Sequence, residues 1–458
     1  MLDKIDFGLG AAQQERRQLR NYFYRSGSFA LACSDKTYII LGAKGAGKSA
    51  IFQMFSELES EIPIFAPPNL WISDEPKLRD HWATLQPLGI SSQVILWRFY
   101  IASLIANLCL EQPNFPSELR SAFERFLVRW GLVNEVPTAW QSMRSIKITV
   151  GLGDHIKTEI PPKKALAATE IDYVIYSADQ WFEESGADLW ICLDSLDEVS
   201  INGHDHDNVE DLLSNLMRAV AELLRLKRIR FKLFFRSDVY HSLTYVNKDH
   251  FSALKLDLEW SREDLAILLA HRIRPLHPSH DNLLTFPTSL EWINEIFDWK
   301  KGKIPNSFDQ LYELLKDGNG NVLPRDLINF CIAAQRTQQN FNNQDINTPT
   351  NGKLVSWQAI HEAVERTAAS KLNDFLQVFQ NYKDTYDQLK GSASRCFSRS
   401  ELSKALGRED SLDANIVIAD LVRVGAIAIK DRRAVNLSDS FEIPFLYSLA
   451  LEIGEGDE

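Results

Sequence analysis

A glycine-rich run near the start of the chain has the residue types and spacing of a phosphate-binding loop. It matches G-x-x-x-x-G-K-[ST] without a mismatch. The predicted nucleotide-binding residues are Gly42, Ala43, Lys44, Gly45, Ala46, Gly47, Lys48, Ser49 and Ala50. Glycines let the backbone amides turn inward onto phosphate oxygens, and the amino end of the next helix adds a favourable dipole. We expect Lys48 to reach the β- and γ-phosphates and Ser49 to give its hydroxyl to Mg²⁺.

Such a loop needs a carboxylate on a neighbouring strand to hold the magnesium ion, and the stretch LWICLDSLDE supplies one. Asp194 directly follows five apolar residues, so we assign it to magnesium together with Ser49. Asp197 and Glu198 come after it, on the predicted turn. Either acid is suited to polarise an attacking water molecule. We favour Glu198, with Asp197 as its rival.

Two arginines are candidates to report the state of the nucleotide. The stretch FKLFF reads as a third strand and ends at Arg236 and Ser237, where a polar side chain would lie beside the γ-phosphate. The alternative for Arg236 is a salt bridge. Arg325 follows Pro324 at a predicted helix start and is placed to fold over the phosphates as part of a lid. The alternative for Arg325 is a solvated charge.

Two other classes of nucleotide-binding protein fit the sequence poorly. A GTPase would carry glycine where Asp197 stands and an aspartate where His250 ends the stretch NKDH, so ATP is the favoured nucleotide. The tripeptide DFG at residues 6–8 invites a kinase interpretation. However, it precedes the phosphate loop, and the sequence contains no HRD-type catalytic loop.

These candidate residues require a parallel sheet to position them. Short apolar runs at Thr37–Leu41, ADLWICLD, FKLFF and ALKLDLEW alternate with helical patterns, among them SAIFQMFSELES and VEDLLSNLMRAVAELLRLKR. Strands that alternate with helices indicate an α/β fold, with helices on both faces of a mostly parallel sheet. We therefore predict an αβα core of the P-loop NTPase type.

The rest of the chain predicts further modules. Residues 1–260 are assigned to the core, with a helical insertion at about 61–165, and residues 261–345 to an α-helical lid that opens with Ser261 and Asp264 at capping spacing. Residues 336–352 are polar and predict an exposed loop. A linker and helix at 346–390 precede a winged-helix-like module at 391–458, whose predicted order is helix, helix, strand (AIAI) and strand (AVNL).

Composition sets limits on partners and compartment. The chain has 458 residues and a net charge of −12, which argues against bulk electrostatic binding of nucleic acid, although a local basic groove is compatible with it. Five scattered cysteines without CxxC spacing predict free, buried thiols. The amino terminus carries charges where a signal peptide needs an apolar run. We expect a cytoplasmic protein without a membrane segment. The apolar stretch at 94–110 contains Arg98 and is therefore predicted to be a buried core helix.

The chain resembles bacterial P-loop ATPases of the AAA+/STAND branch, near the KAP-type ATPases. The resemblance rests on GAKGAGKSA, LWICLDSLDE, FFRSDVY, LDLEWSREDL and LPRDL, in that order. It implies an ATP-binding core, a lid whose sensor arginine matches Arg325, and a sensor polar residue matching Arg236 or Ser237. It also implies regulatory or antiviral-defence roles and an arginine supplied by a neighbouring subunit. Two features of related proteins are missing: membrane helices between the nucleotide motifs, and a repeat array after the core.

The expected function is that of an ATP- and Mg²⁺-dependent hydrolase that acts as a switch, as a homo-oligomer or with a partner effector protein. One alternative is a scaffold locked by ATP with little turnover. Another is a DNA-directed ATPase that uses the winged helix, but acids outnumber basic residues after residue 390.

Overall fold

A computed structural model provides the structure of this protein. It describes residues 2–8, 15, 18–55, 90–130, 163–194, 196, 206–246, 248–278, 284–299, 307–407, 412–431 and 434–454. The chain divides into two compact units. The sheet unit comprises the described residues within 27–44 and 48–258. The helical unit comprises those within 1–26, 45–47 and 259–458.

The elements named here are those of the described residues, numbered in chain order. The α-helices are α1 (Leu19–Tyr22), α2 (Gly27–Ala32), α3 (Lys48–Phe55), α4 (Ile90–Glu111), α5 (Ser117–Trp130), α6 (Lys163–Ser185), α7 (His206–Leu223), α8 (Ser237–Ser242), α9 (Arg262–Ile273), α10 (Phe286–Ile296), α11 (Ser307–Leu315), α12 (Pro324–Asn343), α13 (Trp357–Val378), α14 (Lys383–Leu389), α15 (Arg399–Ala405), α16 (Leu412–Arg423) and α17 (Phe445–Ala450). The strands are β1 (Ile39–Gly42), β2 (Leu189–Leu193), β3 (Ile229–Arg236), β4 (Lys255–Asp257), β5 (Cys396–Ser398), β6 (Ala428–Ile429) and β7 (Ser440–Glu442).

The sheet unit contains a parallel four-stranded sheet in the order β2-β3-β1-β4, as the alternating pattern predicted. Every residue of β1 and β2 is buried, as is typical of a parallel sheet whose two faces are covered by helices. β4 forms one edge and is more exposed. β3 lies between the strand that leads into the phosphate loop and the strand that ends before Asp194.

Helix α4 contains the apolar stretch that is long enough to cross a membrane. Its segment Gln93–Glu111 passes a test of length and hydropathy, and 76% of the most apolar window is buried within the protein. The Trp97 indole donates a hydrogen bond to the Leu212 carbonyl at 2.9 Å. Arg98 pairs with Asp172 and, at 3.1 Å, with Glu222. The surrounding helices therefore supply two carboxylates to the Arg98 guanidinium, which is the arrangement expected of a core helix in the sheet unit.

The helical unit has its own apolar cores. One is formed by helices α9 to α13 and includes Leu269, Ile293, Phe330 and Ile360. The Ser261 hydroxyl accepts a hydrogen bond from the Asp264 amide and caps α9, which confirms the predicted helix start. A second core, among α13 to α17 and the small sheet, includes residues such as Tyr386 and Ile418.

The exposed loop predicted at 336–352 is wrong in its first half, because α12 continues to Asn343. Its polar residues form internal hydrogen bonds. The Gln338 side chain is 2% exposed, accepts a hydrogen bond from the Ser356 amide at 2.8 Å and donates one to the Thr348 hydroxyl at 3.2 Å. Gln338 is thus buried within this polar stretch, with both polar atoms of its side chain hydrogen-bonded.

The carboxy-terminal segment contains an antiparallel sheet in the order β5-β7-β6, with α15 and α16 between β5 and β6. The strand predicted at AVNL is wrong: Val435–Leu437 is a short 3-10 helix, and the strand follows at β7. Arg399 explains the turn, since its guanidinium donates to the carbonyls of Val435 and, at 3.0 Å, Ser438. Carbonyl groups bound to a side chain in this way are not available to a strand ladder.

The cysteines differ in burial. Cys109, Cys192 and Cys331 are buried, as predicted, whereas Cys33 is half-buried and Cys396 is exposed. Burial raises the pKa of Cys192 to about 12, although the nearby charge of Lys232 lowers it somewhat. Buried thiols of this kind are poor nucleophiles, because the thiolate form is rare at neutral pH.

Candidate functional site

The predicted phosphate loop joins β1 to α3, which is the context that the motif requires. Gly45 and Gly47 both have φ values of +96°, a conformation in which side chains with a Cβ are strained. The backbone therefore adopts, at these two residues, a conformation that glycine accommodates without strain. Ala46, between them, is buried.

Lys48 is the first residue of α3 and is buried, with 8% of its surface exposed. Its Nζ donates to the carbonyl oxygens of Gly42 at 2.8 Å and Ala43 at 3.1 Å. The ammonium group therefore lies at the base of the loop, at the amino end of a helix, where the dipole favours an anion. Ser49 and Ala50 follow in the same helical turn and are half-buried.

Asp194 directly follows β2 and is 2% exposed. Leu193 at the end of β2 and Ile39 at the start of β1 both pair with Leu233, whereas Gly42 at the end of β1 pairs with Arg236, so β2 ends level with the start of β1. Neighbouring strands are about 4.8 Å apart, so the backbones of β1 and β2 are separated by roughly 10 Å. The buried Asp194 and the phosphate loop thus each follow the carboxyl end of a strand of the same parallel sheet, at different heights along it.

Asp197 and Glu198 lie outside the described residues, as does Ser195. Their assignment to the attacking water stays a prediction from the sequence.

Arg236 is the last residue of β3 and is 5% exposed, and Ser237 begins α8. The Arg236 guanidinium pairs with Asp238, through Nε to Oδ1 at 3.1 Å and through a second contact. The register pairs Arg236 with Gly42, so the arginine lies level with the first residue of the phosphate loop. The Arg236 side chain is buried and the Asp238 side chain is half-buried, so the two residues form a partly buried salt bridge.

Arg325 is the second residue of α12 and is half-buried. Its amide donates to the Gly45 carbonyl at 3.4 Å. A Cβ placed on Gly45 would lie 2.9 Å from the Cβ of Arg325, a distance that real atoms do not tolerate. The helix start predicted from LPRDL therefore lies against the phosphate loop, and this close approach is a second reason for glycine at position 45.

Sequence reasoning missed Trp260. Its indole Nε1 donates to the Ala46 carbonyl at 2.8 Å, across 214 positions of sequence. A Cβ placed on Gly47 would lie 3.7 Å from Cζ2 of the same ring. The only signal in the sequence is the position of Trp260 just before the cap of α9, which does not specify what the ring contacts.

Comparisons with known proteins give limited matches. No protein-family model matches the chain. The chain is 24% identical over 292 residues to the putative transposon gamma-delta 80.3 kDa protein of Escherichia coli. The alignment covers 58% of this chain and 39% of that protein. The chain therefore matches about two-fifths of the length of this curated relative.

The solved structure of the Aeropyrum pernix ORC1 protein in complex with DNA aligns with this protein. The alignment covers 98% of this chain and 92% of the ORC1 chain. The sequence identity is 13% and the TM-score is 0.34. A TM-score of this size does not establish a shared fold.

Proposed function

We propose that this protein is an ATP-binding and ATP-hydrolysing switch of the AAA+/STAND kind. The observation that carries the proposal is one edge of the parallel sheet. There the glycine loop and the buried Lys48 follow β1, while the buried Asp194 follows β2. Parallel α/β sheets bind their ligands at the carboxyl ends of the strands, and both features lie at that edge.

The residues at this edge are suited to a nucleotide with Mg²⁺. Two glycines at positive φ are of the kind that lets loop amides face phosphate oxygens, and Lys48 supplies a cation in the same loop. The Ser49 hydroxyl and the Asp194 carboxylate are oxygen donors of the type that Mg²⁺ accepts. In this proposal bound Mg²⁺ neutralises charge on the phosphates, and Glu198, with Asp197 as rival, polarises the attacking water.

Arg236 and Arg325 are proposed to report the γ-phosphate. Arg325 lies in the first turn of α12, where the helix dipole disfavours a cation unless an anion is near. Arg236 lies level with Gly42 at the sheet edge, paired with Asp238. Loss of a phosphate charge would release both arginines from an anion and so change their contacts.

Contacts within the helical unit supply a connection from Arg325 to the carboxy-terminal segment. The neighbouring Asp326 pairs with the buried Lys371 of α13 at 2.7 Å. The loop before α12 lies against the turn after α16, where the Gly318 amide donates to the Gly425 carbonyl at 2.7 Å. Helix α12 is thereby linked to the segment proposed as a winged-helix-like module. We propose residues 261–345 as the lid in this arrangement and the cytoplasm as its compartment.

The test is phosphate release from ATP and Mg²⁺ by purified protein. We expect turnover in the wild type, and loss of roughly a hundredfold or more in Lys48→Ala and Asp194→Asn, because each removes charge stabilisation in the transition state. Glu198→Gln tests the water-activating role. Lys36→Ala is the control, since Lys36 is exposed and lies before β1.

Wild-type turnover no higher than that of Lys48→Ala would end the enzyme proposal. ATP binding without turnover would favour the ATP-locked scaffold instead. Molecular mass measured with and without a non-hydrolysable ATP analogue tests the proposed oligomer, and salt-dependent binding to duplex DNA would favour the DNA-directed alternative.

A further inference from the structure

Two carbonyl groups of the loop segment Gly45–Gly47, which belongs to the helical unit, accept hydrogen bonds from other residues of that unit. The indole Nε1 of Trp260 donates to the Ala46 carbonyl at 2.8 Å, and the Arg325 amide donates to the Gly45 carbonyl at 3.4 Å. Indole nitrogen is only a donor, so the Trp260 bond has one possible direction. Two successive carbonyls of the loop are thus fixed by hydrogen bonds.

A hydrogen bond that fixes a peptide carbonyl also fixes the direction of the N–H group in the same peptide plane. In a trans peptide the C=O and N–H groups of one plane point in opposite directions. The bond to the Ala46 carbonyl therefore directs the Gly47 N–H away from Trp260. The bond to the Gly45 carbonyl directs the Ala46 N–H away from Arg325 in the same way. Amides of such loops are the groups that contact phosphate oxygens.

The loop needs this external constraint because glycines do not constrain themselves. Gly45 and Gly47, at φ +96°, have access to many other conformations when no contact holds them. A ligand that binds one conformation loses affinity by the fraction of molecules outside it. A hydrogen bond that selects the binding conformation therefore raises affinity without touching the ligand.

We propose that Trp260 is a positioning residue that sets the amides of Ala46 and Gly47 for a phosphate chain. This inference rests on the proposed function of the loop and adds a residue to it. Because Trp260 immediately precedes Ser261, the cap of α9, the same bond joins the conformation of the loop to the start of a helix.

The test uses Trp260→Phe, which removes the Nε1 donor together with the atoms by which an indole exceeds a phenyl ring, so its control must lose the same atoms. The matched control is Trp357→Phe, a half-buried tryptophan of the same unit that packs on Trp299 and His361. Affinities are measured by calorimetry for two probes, ATP and inorganic tripolyphosphate, which lacks base and sugar. We expect Trp260→Phe to weaken both by the same factor, roughly three- to tenfold, as for one lost hydrogen bond. Trp357→Phe should bind both as the wild type does.

Three results distinguish failure of the proposed function from failure of the proposed role of Trp260. A wild type that binds neither probe would sink the proposed function itself. Wild-type binding with an unchanged Trp260→Phe would overturn only the role of Trp260. Weaker binding of ATP with unchanged binding of tripolyphosphate would also overturn it, since the ring would then act on the base or sugar.

A second measurement uses only the wild-type protein, so it tests the proposal even if the Trp260→Phe protein does not fold. Wild-type protein is oxidised with N-bromosuccinimide, and peptide mass spectrometry follows Trp260 and Trp357. We expect tripolyphosphate to slow oxidation of Trp260 and to leave Trp357 unchanged, because a bound phosphate chain and the indole bond favour the same loop conformation. An equal rate at Trp260 with and without tripolyphosphate would contradict the proposal.

Discussion

Two buried lysines bind main-chain carbonyls at the two ends of β1, Lys48 at the carboxyl end and Lys232 at the amino end. Lys48 donates to the carbonyls of Gly42 and Ala43. It lies in a glycine loop at the amino end of a helix, where the dipole favours an anion over a cation. Its surroundings therefore suit a group that turns toward a phosphate.

Lys232 has a different environment. Its side chain is fully buried on β3, and its Nζ lies 4.1 Å from the centre of the Trp190 ring. All three of its ammonium donors can be used, because Nζ lies at 2.8, 2.6 and 2.7 Å from the carbonyl oxygens of Ala32, Ser34 and Thr37. These carbonyls belong to the end of α2 and the segment that leads into β1. Lys232 thus holds together the segment that leads into β1. We call Lys232 with its three carbonyl partners the brace.

The comparison of Lys48 with Lys232 shows that burial and carbonyl partners alone do not distinguish a lysine proposed to bind phosphate from a structural one. The neighbouring backbone does. Lys48 is followed by a helix and preceded by glycines at positive φ, whereas Lys232 is enclosed by an aromatic ring and three carbonyls.

The largest expected effect is on turnover. We expect Lys48→Met to lower ATP hydrolysis by roughly a hundred- to thousandfold, because it removes a cation from the transferred phosphate. Lys232→Met should lower turnover per folded molecule less than tenfold. Phosphate release, normalised to folded protein by circular dichroism, checks both. Equal losses in the two variants would remove the functional distinction between the ends of β1.

The next effect is on stability. We expect Lys232→Met to lower the free energy of unfolding by about 2–4 kcal/mol, since buried carbonyls lose their donors. Urea unfolding measures the change. Lys227→Met is the control, because Lys227 is exposed and pairs with Glu183 at the surface, and its loss should leave the free energy of unfolding nearly unchanged. A Lys232→Met protein as stable as this control would refute the brace.

The third effect depends on pH. Burial lowers the pKa of Lys232 from 10.5 to about 8. Between these values the unfolded chain binds a proton that the folded chain does not, so the contribution of Lys232 to stability increases as pH rises. We expect the stability difference between wild type and Lys232→Met to grow by about 2 kcal/mol from pH 7.5 to 9.5. Titration of other groups affects both proteins alike and therefore cancels in this difference. A stability difference that stays constant from pH 7.5 to 9.5 would contradict the prediction.

The smallest effect is the contribution of the aromatic ring. We expect Trp190→Phe to weaken the attraction between ring and ammonium, with a coupling to Lys232→Met of about 0.5–1 kcal/mol in a double-mutant cycle. Unfolding by urea of the four proteins gives the coupling. The same cycle with Lys227→Met should give none, and coupling of similar size there would mean that the ring acts through general packing.

Much of the sheet unit was predictable because its signals are local. Continuous apolar runs identified β1, β2 and β3, and the loop motif identified the turn after β1. The boundaries differed, since the strand predicted at Thr37–Leu41 is Ile39–Gly42. Composition gave a wrong prediction where the hydrogen-bond partners lie outside the segment itself. Gln338 was predicted to lie in a loop, but it belongs to α12, and its side chain bonds to Ser356 and Thr348.

The sequence by itself determined the phosphate loop, the acid after β2 and the alternation that builds a parallel sheet, because each depends on residues within one turn or strand. Only the tertiary structure decided that β3 lies between β1 and β2, that Arg236 pairs with Asp238, and that Trp260 bonds to Ala46. These facts depend on contacts between segments far apart in the chain. Their energies come from burial and hydrogen bonding that no local pattern records.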